Sequence, residues 1–130
     1  MRDLKPEILA KKAHPLEWLF EPLESHPGYL RKKFFGCEAA YVNGKFSIAV
    51  TDGEEPWNGL LVITGWENHA SLLKEWKQLK EHPVLGKWLY ISQNHAAFEK
   101  VATSIIKSVN RGDERIGVEP KPRKRKKKKG

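Results

Sequence analysis

Asn43-Gly44 separates two stretches with strand character, Phe35-Gly36-Cys37-Glu38-Ala39-Ala40-Tyr41-Val42 and Lys45-Phe46-Ser47-Ile48-Ala49-Val50. Asn-Gly readily takes the two positive φ angles of a type I′ turn, so this segment is constrained to a tight β-hairpin before anything else is known. A two-residue loop pairs Val42 with Lys45. It then sets Tyr41 opposite Phe46, Ala39 opposite Ile48 and Cys37 opposite Val50, and this side of the hairpin is predicted to face the core.

The remaining elements are read outward from the hairpin. Pro6 and Pro15 mark helix starts, where a missing N–H costs little. Leu16, Leu19, Phe20 and Leu23 have the spacing of one buried helix face, and Pro22 is predicted to kink or end that helix. Ser25 is predicted to cap a further short helical turn from about Pro27, with Tyr29, Leu30 and Phe34 as its apolar contacts. After the hairpin, Asp52 to Asn58 reads as a polar loop and Leu60-Leu61-Val62-Ile63 as a strand covered on both faces. Thr64-Gly65-Trp66-Glu67 matches a capping box. The helix it would open carries Leu72, Leu73, Trp76 and Leu79 and is predicted to end at His82-Pro83. Lys87 to Ile91 reads as a fourth strand. Ser92 is predicted to cap a last helix with Phe98, Val101, Ala102, Ile105, Ile106 and Val109 on its buried face, stopped by Gly112. Ile116, Gly117 and Val118 are expected to dock on the domain. This order predicts an α+β fold of two layers, an antiparallel β-sheet with helices packed mainly on one face, formed by residues 1–118 as a single globular domain.

Charge is unevenly placed. The formal net charge is +8, yet Lys121, Arg123, Lys124, Arg125, Lys126, Lys127, Lys128 and Lys129 supply eight of the 24 basic residues, and none of the 16 acidic residues lies beyond Pro120. Residues 1–120 are therefore neutral, whereas residues 119–130 read as a disordered basic tail. Such a run can neutralise phosphates and release counterions without a folded site. It fits nonspecific attachment to DNA or RNA, and equally acidic protein tails, anionic lipid or simple solvation. Arg31, Lys32 and Lys33 are the one candidate basic patch within the domain, placed at the end of a helical turn.

Cys37 is the only cysteine, which excludes an intramolecular disulfide and a multi-cysteine zinc site. The first residues lack the apolar stretch of a signal peptide, and nowhere is there a run long enough to span a bilayer, so a cytoplasmic protein is expected.

The residues Phe34-Phe35-Gly36-Cys37 followed by Tyr41 to Val50 resemble the N-terminal domain of the TfoX/Sxy competence regulators, whose hairpin usually opens with Met-Phe-Gly-Gly. The later strand, helix, strand and long helix are similar to the related MmcQ/YjbR-like proteins. The resemblance covers roughly residues 26 to 110 at the level of pattern and implies a small α/β fold serving as an interaction or regulatory module. Cys37 stands where the second Gly is usual, and the helical C-terminal half of the competence regulators is replaced by the basic tail. The resemblance supplies no catalytic residues.

His14, His26, His69, His82 and His95 show no tight ligand spacing, so no metal site and no cofactor is read from the sequence. His14, His26 and His82 precede prolines and suit element boundaries; His69 and His95 suit the first turns of helices. Cys37 would serve as a nucleophile only beside a His and a cationic environment, and the hairpin register packs it in the core. Trp57, His82, Lys87 and Trp88 place aromatic and polar groups in two loops, a candidate ligand pocket whose plainer reading is a small satellite core. These features favour a non-enzymatic binding or regulatory module with a tail for nucleic acid. A small enzyme or ligand-binding protein at those four residues and a chaperone-like adaptor for a protein partner are the alternatives.

Overall fold

A computed structural model of the chain describes residues 15–34 and 37–119. The helix start at Pro6, His14, and the basic residues Lys121 to Lys129 lie outside the described residues.

Six strands form one open antiparallel sheet: β1 (Tyr29–Phe34), β2 (Cys37–Val42), β3 (Lys45–Val50), β4 (Gly59–Val62), β5 (Lys80–Glu81) and β6 (Leu89–Ser92), in the spatial order β1-β2-β3-β4-β6-β5. Among the described residues three α-helices, α1 (Glu21–Glu24), α2 (His69–Glu75) and α3 (Phe98–Asn110), pack on one face. The fold is thus α+β in two layers. Ala40, Val42, Ile48, Val50, Leu60, Val62, Leu89 and Ile91 meet Leu19, Phe20, Leu23, Leu72, Val101 and Ile105 in the main core. The opposite face, helix-free among the described residues, carries a second cluster of Cys37, Ala39, Phe46, Ala49, Leu61, Ile63 and Tyr90. Strands covered on both faces read as continuous apolar runs, which is why β4 is buried at all four positions.

The Asn-Gly turn forms as predicted, with φ of 55° at Asn43 and 82° at Gly44. Val42 pairs with Lys45 and Tyr41 with Phe46, but the ladder then shifts, so that Ala40 opposes Ile48, Ala39 opposes Ala49 and Glu38 opposes Val50. Ser47 is an extra residue in β3, a bulge that turns the strand over. The predicted single row is therefore divided: Cys37, Ala39, Tyr41 and Phe46 lie on the helix-free face, and Ile48 and Val50 lie under the helices.

Several local expectations are corrected. Tyr29 to Phe34 form an edge strand rather than a helical turn, with Arg31 bridging Glu17 and Glu38 at 2.9 Å each. Arg31, Lys32 and Lys33 therefore lie on β1, where alternation sends Lys32 to one face and its neighbours to the other. Pro22 opens α1 instead of ending a helix: a 3₁₀ turn, Glu17–Phe20, precedes it, and Pro22 occupies the first turn, where no N–H is needed. The capping box does not form, because the Thr64 hydroxyl donates to the Arg115 carbonyl at 2.6 Å and Gly65 caps a 3₁₀ turn, Trp66–Asn68. Helix α2 ends at Glu75, and Leu79 is buried from the turn that leads into β5. Strand β6 begins at Leu89. Ser92 does not cap α3, which starts at Phe98 with no side-chain cap.

Helix α3 stops as predicted. Gly112 (φ 87°) follows the last turn, its N–H bonding Val109 O at 2.9 Å and that of Asp113 bonding Ser108 O at 3.1 Å, the paired bonds of a Schellman motif. Arg115 then fixes the exit segment, donating to Asp113, to Ser71 at 2.9 Å and to Glu75 at 2.6 Å, with its guanidinium 5.5 Å from the Trp76 ring centroid. Val118 exchanges backbone hydrogen bonds with Phe46 at 2.9 and 3.0 Å.

Candidate functional site

Two loops cross the helix-free face and bring the four sequence-selected residues to one region. The β3–β4 loop carries Trp57 and is closed by Gly53 N–H to Trp57 O and Trp57 N–H to Glu54 O, both 2.7 Å. The β5–β6 loop carries His82, Lys87 and Trp88 and is closed by His82 N–H to Trp88 O at 3.0 Å. Trp57 meets the His82 ring at 4.3 Å between centroids, and Trp57 and Trp88 are both half-buried against the second cluster.

His82 is the knot between the loops. It is 1% exposed. Its Nδ1 accepts from the backbone N–H of Val84 at 3.1 Å and of Leu85 at 3.0 Å, which places the proton on Nε2, and Nε2 donates to Pro56 O at 2.8 Å. Burial holds its pKa below the ordinary value, aided by the charge of Lys80 and opposed by the bond to Pro56. Both nitrogens are thus engaged by the neutral ring. Lys87 has an exposed side chain, and its carbonyl accepts from His69 Nε2 at 2.8 Å. Of the four residues, Trp57 and His82 touch, Trp88 is tied to His82 through backbone, and Lys87 contributes main chain.

Sequence reasoning missed the group beside them. Tyr90, on the helix-free side of β6, accepts from Asn58 N–H at 2.9 Å and donates to Glu55 Oε1 at 2.8 Å. Ser92 Oγ donates to the other Glu55 oxygen, as does Asn58 Nδ2 at 3.4 Å. The bond from Ser92 leads the effects that lower the Glu55 pKa, whereas burial and the Glu55 carboxylate push Tyr90 up to about 12. The only signal in the sequence was the alternation of β6, which sends Tyr90 away from the helices.

At neutral pH this network offers an ionised carboxylate satisfied by neutral donors, a protonated phenol and a neutral, doubly engaged imidazole. The Cys37 thiol lies on the same face with its pKa raised by burial, so it stays protonated at neutral pH. His69, the first residue of α2 as predicted, has Nδ1 at 3.4 Å from Glu81 Oε2. His95 lies before α3, its Nδ1 accepting from Ala97 N–H at 3.0 Å, and the His26 Nδ1 accepts from Gly28 N–H at 2.9 Å. Among the described residues no group of three or more His, Cys, Asp or Glu side chains is placed to hold a metal ion, and no helix is long and apolar enough to cross a membrane.

No family model, no curated protein and no solved structure matches this chain.

Proposed function

We propose that the chain is a non-enzymatic binding module, in which the α+β domain makes the partner contact and Lys121 to Lys129 attach it nonspecifically to nucleic acid. The observation that carries this reading is the separation of charge: residues 1–120 hold 16 basic and 16 acidic residues, and the remaining eight basic residues all follow Pro120. Polyanion affinity then belongs almost wholly to the tail. The engagement of His82, Tyr90 and Glu55 in holding two loops also favours binding over catalysis, because none of them is poised to exchange a proton near neutral pH. The likeness of the hairpin to TfoX/Sxy agrees with a binding role and adds no residue to it.

The test compares the full chain with a chain ending at Pro120 for binding to a labelled oligonucleotide between about 50 and 200 mM salt. The full chain should bind weakly and lose affinity steeply with salt, at a logarithmic slope of up to about −6 for a single strand if all eight cations engage. Undiminished binding by the truncated chain overturns the reading.

A further inference from the structure

Strand β1 ends the sheet on one side, and the ladder fixes which of its backbone groups face outward. The Asn43 N–H donates to Gly28 O at 3.0 Å, one step beyond the opposed pair Tyr29 and Val42. Opposed residues in an antiparallel ladder alternate between hydrogen-bonded and non-hydrogen-bonded pairs. Leu30, Lys32 and Phe34 therefore turn their N–H and C=O groups to β2, whereas those of Arg31 and Lys33 turn outward with the Tyr29 carbonyl. The Tyr29 N–H is already taken by His26 O at 3.0 Å. Among the described residues no strand pairs with this edge. It is a short open ladder with donors and acceptors in place.

The side chains along the edge select what can complete it. Lys32 is exposed on one face of β1, and the Lys33 side chain is 83% exposed on the other. Arg31 is held by Glu17 and Glu38, and Lys33 reaches the second Glu38 oxygen at 3.2 Å. Three cations thus stand against two carboxylates, of which Glu38 is buried, so a neighbouring strand meets positive charge. A second copy of β1 laid antiparallel would set Arg31, Lys32 and Lys33 against their own counterparts, and like charges directly opposite destabilise a ladder. An acidic strand reverses the sign of the same contacts. Leu30, 51% exposed on the face of Lys32, adds one apolar contact to the edge.

We infer that the outer edge of β1 binds an extended acidic peptide segment of a protein partner as an additional strand, antiparallel to β1. The main-chain groups of Arg31 and Lys33 hold the segment, and alternate side chains select it. Carboxylates lie opposite Lys33 and Lys32 and an apolar residue opposite Leu30. The position opposite Arg31 is open to any residue, because its guanidinium is already paired with Glu17 and Glu38. This rests on the reading of the domain as the part that makes the partner contact, and it names the partner's chemistry and the surface it meets.

The experiment titrates the full chain with a synthetic peptide of about eight residues that carries two adjacent glutamates and a valine two positions after the second. Affinity is read from the amide NMR shifts of Arg31 and Lys33, so that peptide held by Lys121 to Lys129 alone is not counted. Hydrogen exchange at those two amides should slow about tenfold or more at saturation, while Leu30 and Lys32, already bonded to β2, change little. N-methylating the peptide amides opposite Arg31 and Lys33 should weaken binding about tenfold. Methylating those opposite Leu30 and Lys32, which point to solvent, should leave it within about twofold. Lys33→Glu should also weaken binding about tenfold; Lys100→Glu, an exposed lysine in the helix layer, is the control for charge alone. Equal binding of the two methylated peptides, unchanged exchange at Arg31 and Lys33, or a Lys33→Glu effect no larger than that of Lys100→Glu overturns the edge site. Each of these outcomes bears on the edge alone, whereas the attachment of the tail to nucleic acid stands or falls on the oligonucleotide comparison of the full and truncated chains.

Discussion

Replacing His82 by Ala tests whether one imidazole holds the loops over the helix-free face. The side chain is 1% exposed and makes three hydrogen bonds, accepting from Val84 and Leu85 N–H and donating to Pro56 O. Its loss strands two amides and a carbonyl, at about 1 kcal/mol each. It also removes ring contacts to Trp57 at 4.3 Å and Tyr90 at 5.3 Å, about 0.5 to 1.5 kcal/mol each. We predict a destabilisation of about 4 to 6 kcal/mol, a fall in Tm on the order of 20 °C, read by urea and thermal unfolding at pH 7.5. The pH dependence has a definite sign. The folded-state pKa of His82 is lowered, so the unfolded chain takes up the proton first as pH falls. The stabilisation is full above the ordinary value of about 6.5, declines below it, and levels off beneath the folded pKa, so the gap between wild type and variant should narrow on acidification. A loss under about 1 kcal/mol, or a gap that widens toward acid pH, would refute this account.

Two further outcomes follow from the same geometry. Cys37 should react slowly with thiol reagents in the native state, and Cys37→Ser should cost about 1 to 3 kcal/mol by burying a hydroxyl; modification as fast as in urea would contradict its burial. Arg115→Met should destabilise by about 1 to 2 kcal/mol and speed amide hydrogen exchange at Gly117 and Val118, because the side chain ties their segment to Ser71 and Glu75; unchanged exchange there would show that the backbone bonds suffice.

Legibility in the sequence followed the range of the forces involved. The Asn43-Gly44 turn and helix α3 were readable because backbone preference and a 3.6-residue apolar period act within a few positions. Strand β1 was not, since Arg31, Lys32 and Lys33 look like the solvated end of a helix until Glu17 and Glu38 are seen to hold Arg31 in place. The capping box failed for a similar reason: the Thr64 hydroxyl found the carbonyl of Arg115, a partner 51 residues away. Of the candidate site, the nearness of Trp57 and His82 was anticipated from their loops, whereas the ties of His82 to Pro56 and of Glu55 to Tyr90 were not, because each joins residues at least 26 positions apart with no local pattern.

The extra residue at Ser47 makes β3 behave like a reading frame. Upstream of it, Phe46 belongs to the helix-free cluster; downstream, Ile48 and Val50 belong to the core beneath the helices. Deleting Ser47 itself would restore one-to-one pairing and leave Phe46 opposite Tyr41 and Ile48 opposite Ala40 with their faces unchanged, whereas deleting a residue outside the bulge, Ala49 for instance, would act as a frameshift and send Val50 to the other face. Strand β3 can therefore lose its one extra residue with less disturbance than any residue paired one to one, because only the latter loss exchanges the faces of the side chains beyond it.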